Sequence, residues 1–386
     1  MLMVTLVSCG HPARTDAQPE TPKHSDPFAY LGPAPQSREA NDAARFLAGL
    51  PGLPGSPFLE MEKQEAWKMH QGELDRMWNK IKADTIAPMR QFQANELNTA
   101  NIRKSTVFYP FSGPDSLISN VFFPANSTYV MVALEPPGTM PSAKQFEKKN
   151  LALTLALERK TVFDILGRSF FITHEMDRQF RGQVTDGLFQ PIVHLLVRNG
   201  HTITGYRLIE LNEKGAIVER TKAEGRVPNW GLEIDFSDEG STEIHRLFYL
   251  SVNLDDQHLR GNKPFGNFVN GFKGMTTYLK ATSYMPHHEE FSVIRNMVLD
   301  GSATVLQDDS GVPYHYFKPA DWHVQLYGDY TKPYGSFRYM QEKDLQAAYQ
   351  TEHPKRLDFR IGYGFSKAPS NLLLATKVAP VTSARR

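Results

Sequence analysis

A single cysteine stands among 386 residues, at position 9. The body after it forms no disulfide and is indifferent to an oxidising compartment, which makes it compatible with export. Charge of one sign is also lacking: 43 Lys and Arg face 42 Asp and Glu, a net of +1. That balance excludes a basic field for nucleic acid and an acidic tail. No run approaches the roughly 18 apolar residues of a membrane-spanning helix. There is no internal repeat, no glycine-rich phosphate loop and no nucleophile elbow of the Gly-x-Ser-x-Gly type, and no cofactor is expected.

What is present begins with a short apolar run from Leu2, ending in Leu6-Val7-Ser8-Cys9. This segment resembles the lipobox of bacterial lipoproteins. The resemblance implies that residues 1–8 are the remnant of a signal peptide. It implies that the Cys9 thiol takes a diacylglycerol unit, and that the freed amino terminus takes a further acyl chain such as palmitate. Each buried CH₂ contributes about 0.8 kcal/mol, so several chains on one residue anchor stably where one would not. The membrane contact is then through lipid on Cys9. Gly10 stands where an Asp would hold such a protein in the inner membrane, so the expected address is the cell envelope, at the outer membrane. No Lys or Arg precedes Cys9 and the apolar run is short, so the natural start is expected upstream or the chain trimmed.

Residues 9–36 are rich in Pro, Ala, Ser and Asp and poor in aliphatic side chains, the composition of a coil. Such a tether holds the body roughly 30 Å from the anchor. A helical segment is expected over 37–104. Ser37 is its N-cap, Pro51-Gly52-Leu53-Pro54-Gly55 a break, and Glu60 to Lys82 and Asp84 to Leu97 its longer helices. From 105 to 377 strands and helices mix, and 378–386 reads as a tail. Strands are expected at Val107–Tyr109, Thr128–Leu134, Leu232–Phe236, Ile244–Val252, Met275–Ser283, Ser302–Gln307, Trp322–Tyr327 and Asn371–Thr376. Helices are expected from Ser142 to Leu157, near Pro191 to Asn199, from His287 to Leu299 and from Gln341 to Gln350. The alternation Leu232, Ile234, Phe236 against Glu233, Asp235 marks a strand with one buried face. The regular β-α-β order of a doubly wound sheet is missing. The expected class is α+β: a mostly antiparallel sheet with packed helices, preceded by the helical segment and forming one globular unit with it.

Several side chains could carry chemistry. Asp115, in Ser112-Gly113-Pro114-Asp115, sits on a loop between two apolar strands. The same residues also suit a turn closed by an Asp N-cap. Asp308 and Asp309, in Gln307-Asp308-Asp309-Ser310-Gly311, could serve acid/base work or a cation. Asp, Ser and Gly in that order equally suit a turn. Within His287-His288-Glu289-Glu290, a helix would put His287 and Glu290 on one face, a weak metal pair needing further ligands, and no metal site is expected from the spacing alone. His174, Glu175 and Asp177 form a polar cluster of no specific spacing, and His194 falls among apolar residues as a core histidine. Between Tyr314 and Tyr339 the aromatic residues are dense. Tyr314, Tyr316, Trp322 and Tyr327 could stack on sugar rings, or fill the core and edge of a sheet.

Phe108-Tyr109-Pro110-Phe111-Ser112-Gly113-Pro114-Asp115 and Gln307-Asp308-Asp309-Ser310-Gly311-Val312-Pro313-Tyr314 resemble segments of exported bacterial proteins of unknown function. The resemblance implies no activity, but it points to the two Asp-bearing loops. Two functions follow as expectations. One is a non-catalytic envelope protein binding a protein or glycan partner, which needs the rings of 314–339 as an exposed, contiguous patch. The other is an envelope hydrolase, which needs Asp115 to meet Asp308 or Asp309 in one cleft.

Overall fold

The computed structural model describes residues 31–168, 187–220, 228–365 and 369–378. Cys9, most of the tether, and the cluster His174, Glu175 and Asp177 lie outside the described residues.

Ten strands form one sheet among the described residues. They are β1 (Val107–Pro110), β2 (Thr128–Ala133), β3 (His201–Leu211), β4 (Ile217–Glu219), β5 (Trp230–Asp238), β6 (His245–Ser251), β7 (Met275–Leu279), β8 (Ser302–Gln307), β9 (Trp322–Gly328) and β10 (Asn371–Lys377). Their spatial order is β4-β3-β5-β6-β2-β1-β7-β8-β10-β9. Five of the nine pairings are antiparallel. With the helices packed on it, the sheet makes the chain α+β.

The four parallel pairings are contiguous and join β6, β2, β1, β7 and β8 in the centre. The physical reason is in their composition. Val107-Phe108-Tyr109 and Tyr129-Val130-Met131-Val132-Ala133 are buried on both faces, and a strand covered on both faces reads as a continuous apolar run. Alternate residues then serve opposite layers. Tyr109, Tyr129 and Met131 pack with Leu232, Ile234 and Phe236 under the helices Arg38–Leu47 and Phe189–Arg198. Phe108, Val130 and Val132 pack with Phe248 and Val305 under the helices Lys263–Asn270, Ser292–Gly301 and Lys343–Thr351. A smaller cluster holds Phe46, Phe58, Trp67 and Phe146, with Phe46 and Phe58 stacked 4.6 Å apart.

Local signals set several boundaries. The Ser37 hydroxyl accepts the Ala40 amide at 3.2 Å, so Ser37 is an N-cap. The helix expected from Ser142 to Leu157 is instead two, Ala143–Glu147 and Leu151–Arg168. The first closes at its C-cap Lys148, and Asn150 opens the second, its side chain accepting the Leu153 amide at 3.1 Å. The helix expected from His287 begins only at Ser292, after two short 3₁₀ turns at Met285–His287 and Glu289–Phe291. His288 between them is extended, with φ −87° and ψ 148°, so His287 and Glu290 do not share a helical face.

Candidate active cleft

The chain leaves β1 leftward to β2 and later returns to β1's other side as β7. The carboxyl ends of parallel strands at such a reversal form a crevice. A cavity of about 330 Å³ lies there, lined by residues that follow β1 (Phe111, Gly113), β2 (Leu134, Glu135), β6 (Val252–Asp255) and β7 (Lys280–Ser283), with Met285 and Phe291. Its lining is mainly apolar with a few polar groups, the usual make-up of a small-molecule site.

The cleft wall is built from backbone that side chains rarely tolerate. Six non-glycine residues have positive φ among the described residues; three of them, Phe111 (61°), Ala281 (50°) and Ser283 (58°), line this cavity, and a fourth, Tyr284 (55°), directly follows Ser283. Each such residue costs of order 1–3 kcal/mol and persists only where its surroundings over-determine it.

The surroundings that do so are the two Asp-bearing loops. Asp308 Oδ1 accepts the Ser310 amide at 3.0 Å, which closes the expected turn. Its Oδ2 accepts the Ala281 amide at 2.8 Å. The Thr282 amide donates to Ser310 Oγ at 2.9 Å, and the Tyr284 hydroxyl donates to Asp309 Oδ2 at 2.5 Å. Tyr363 completes the clamp, since its hydroxyl accepts the Ser283 amide at 2.9 Å and donates to the Ala281 carbonyl at 3.1 Å. Asp309 Oδ1 accepts from Asn371 Nδ2 at 3.2 Å.

On the other side, Asp115 caps the helix Ser116–Phe122, its Oδ1 accepting the Ile118 amide at 3.1 Å. Oδ2 accepts the Tyr109 hydroxyl at 3.1 Å and the ammonium of Lys280. Lys280 brings this buried pair to the cavity wall, and its charge also favours the ionised form of Asp308.

Titration follows burial. Burial pushes the carboxyl of Asp308 above the usual range, and hydrogen bonds from Ser310 and Ala281 pull against it. Burial, with the charge of Asp308 second, pushes Asp309 to about 7. The phenols of Tyr109 and Tyr278 are pushed up by burial and then by Asp115.

Thus Asp115, Asp308 and Asp309 converge around the turn that follows β7, but none of the three lines the cavity. Their oxygens are engaged inward, on amides, hydroxyls and Lys280. They position the cleft; the titratable residues along its lining are Lys280, Glu135 and Asp255, with the Lys280 ammonium itself buried against Asp115. Lys280 and this turn were missed in the sequence. The available signal was a lysine directly after the apolar end of a strand, in Tyr278-Leu279-Lys280.

The ring-rich segment is placed otherwise. Trp322 and Tyr327 are 5% and 1% exposed, on opposite faces of the sheet in separate cores. Tyr314 and Tyr316 are half-buried in a 3₁₀ turn. These four do not form a contiguous exposed patch, because the sheet uses the larger rings to cover itself. His194 is buried with Nδ1 3.2 Å from Glu158 Oε1, and its Nε2 has no hydrogen-bond partner. His287 faces Glu342 rather than Glu290, which is exposed. No helix among the described residues is long and apolar enough to cross a membrane. Neither a protein-family model, nor a curated protein, nor a solved structure matches the chain.

Proposed function

We propose that this chain is a sugar-binding protein whose working surface is the cleft after β1 and β7, and, from the Leu6-Val7-Ser8-Cys9 resemblance, that it is tethered through lipid on Cys9 in the bacterial cell envelope. The observation that carries the reading is the meeting, in one cavity, of an aromatic pair with charges of both signs. Phe111 and Phe291 stand edge to face, with ring centroids 6.0 Å apart. Lys280 lines the same wall as Asp255 and Glu135. A hydroxylated ring offers C–H patches to an aromatic face, and hydroxyls that both donate and accept. The glycan reading thus moves from the rings of 314–339 to Phe111 and Phe291. A hydrolytic role for Asp115, Asp308 and Asp309 has less support, since all three are spent on holding the cleft.

The test is saturation-transfer NMR and calorimetry against a panel of mono- and disaccharides, amino sugars included. Leu134 lines the cleft and is 58% exposed, so Leu134→Trp fills the space without disturbing the core. Phe291→Ala removes one ring. Binding that both variants weaken at unchanged thermal stability supports the reading. Binding that ignores both, or a panel in which no sugar binds, overturns it. For the tether, palmitate labelling of cells that Cys9→Ala abolishes is the expected result; labelling that survives the substitution removes the anchor.

A further inference from the structure

A second polar cluster lies behind the cleft wall and is independent of the sugar reading. It gathers three separate stretches of chain: the turn Met285–His287, the turn Tyr314–Tyr316 and the start of the helix Lys343–Thr351. Glu342, the N-cap of that helix, holds one oxygen in place, Oε2 accepting the Tyr314 amide at 2.7 Å. Its other oxygen, Oε1, stands 3.9 Å from Nε2 of His287. Ligand-capable atoms of His315, Glu342 and Asp344 lie within 4.8 Å of one another.

The second observation is the state of His287. Its side chain is only 9% exposed, and Nε2 is buried with no hydrogen-bond partner. The ring's own hydrogen bond goes to the main chain of Asp309. A buried imidazole fixed at one nitrogen, with the other bare and aimed at a carboxylate, is how a protein holds a histidine ligand. Leaving such a nitrogen unsatisfied costs the desolvation of a polar atom, which a bound ion would repay.

We propose that His287, His315, Glu342 and Asp344 form a binding site for one divalent transition-metal ion of the zinc class. Two imidazoles and two carboxylates match that class, while magnesium and calcium take oxygen ligands. Two carboxylates neutralise a doubly charged ion. Ligand atoms around a tetrahedral ion with bonds of about 2.0–2.2 Å sit about 3.3–3.6 Å apart. The exposed side chains of His315 and Asp344 can close that difference and give the ion its access from solvent. Bound there, the ion ties the turn 285–287, next to cleft residues Ser283 and Met285, to the helix Lys343–Thr351.

The experiment titrates the metal-stripped full chain with Co²⁺ and then Zn²⁺. One equivalent of Co²⁺ should give the intense visible absorption of a four-coordinate nitrogen and oxygen site, without the sulfur charge-transfer band that Cys9 would add, and Zn²⁺ should displace it. His315→Ala and Asp344→Ala lie on exposed side chains and should keep the fold while weakening binding about tenfold or more. His287→Gln, checked by circular dichroism, should do the same. The proposal fails if no equivalent binds, if binding carries the sulfur band, or if His315→Ala and Asp344→Ala together leave affinity unchanged.

Discussion

The ammonium of Lys280 is buried against the carboxylate of Asp115, joining the end of β7 to the loop after β1 with side chains only 2% and 4% exposed. Each charge is tolerable there because the other is present. Lys280→Met leaves Asp115 buried with its Tyr109 and Ile118 donors but no cation. Removing one partner of a buried pair costs about 3–5 kcal/mol, whereas replacing both is often nearly neutral. Urea denaturation should therefore show a large loss for Lys280→Met and a partial recovery in Asp115→Asn/Lys280→Met. Strictly additive losses would mean that the two side chains are not coupled.

Gly362 has φ +59°, and a Cβ built on it would come within 2.1 Å of Asp308 Oδ2. The glycine lets the loop close over the carboxylate that holds the Ala281 amide. Gly362→Ala combines a left-handed backbone with a clash against an oxygen that cannot move without releasing the cleft turn. A loss of about 2 kcal/mol or more is expected, together with weakened sugar binding. A variant of unchanged stability would show that the loop adapts and that Asp308 is not clamped.

Local chemistry was legible in the sequence. The Ser37 and Asp115 caps and the turn at Asp308-Asp309-Ser310-Gly311 follow from rules that act within a few residues, and each is found. The alternation in Leu232–Phe236 gave a strand, although its supposed solvent face carries Glu233 and Asp235, which are buried. Arg207 Nε donates to Glu233 Oε2 at 2.5 Å and the Ala34 amide to Asp235 Oδ2 at 2.8 Å, partners that no local pattern announces. The parallel centre depends on which distant strands pair. The cleft depends on it in turn, because Phe111, Leu134, Asp255 and Lys280 converge only once β1, β2, β6 and β7 lie side by side. For the same reason His287 was paired in sequence with Glu290, its near neighbour, when the chain folds Glu342 against it.

Tyr327 tests whether the ring-rich segment is core or binding platform. Its ring packs edge to face on Phe92 at 4.9 Å, and its hydroxyl donates to Glu96 Oε2 at 2.7 Å. As a core residue it should cost about 3–5 kcal/mol on replacement by Ala. Tyr327→Phe, which keeps the ring, should cost about 1 kcal/mol. Sugar affinity of the folded Tyr327→Phe variant should be unchanged. A selective loss of binding at full stability would restore the platform.

Glu158 and His194 make a buried pair whose response to pH has a definite sign. Burial raises the Glu158 carboxyl from 4.5 to about 8, and burial, with Arg198 second, lowers His194 from 6.5 to about 3. Near neutral pH both are uncharged, so the protonated carboxyl donates to Nδ1 of His194 across 3.2 Å. The unfolded chain releases the Glu158 proton near its ordinary value, while the folded chain keeps it. The stability this group contributes is therefore fully present below 4.5 and is lost as pH rises through about 8. His194 works in the other direction, present above 6.5 and lost as pH falls toward about 3. Glu158→Gln separates the two, because an amide still donates to His194 but does not titrate. At about 1.4 kcal/mol per pKa unit, the variant should gain on the wild type by a few kcal/mol between about pH 5 and pH 8.5. Urea denaturation of both proteins across that interval measures the gain. Parallel curves would mean that Glu158 takes up no extra proton on folding across this interval.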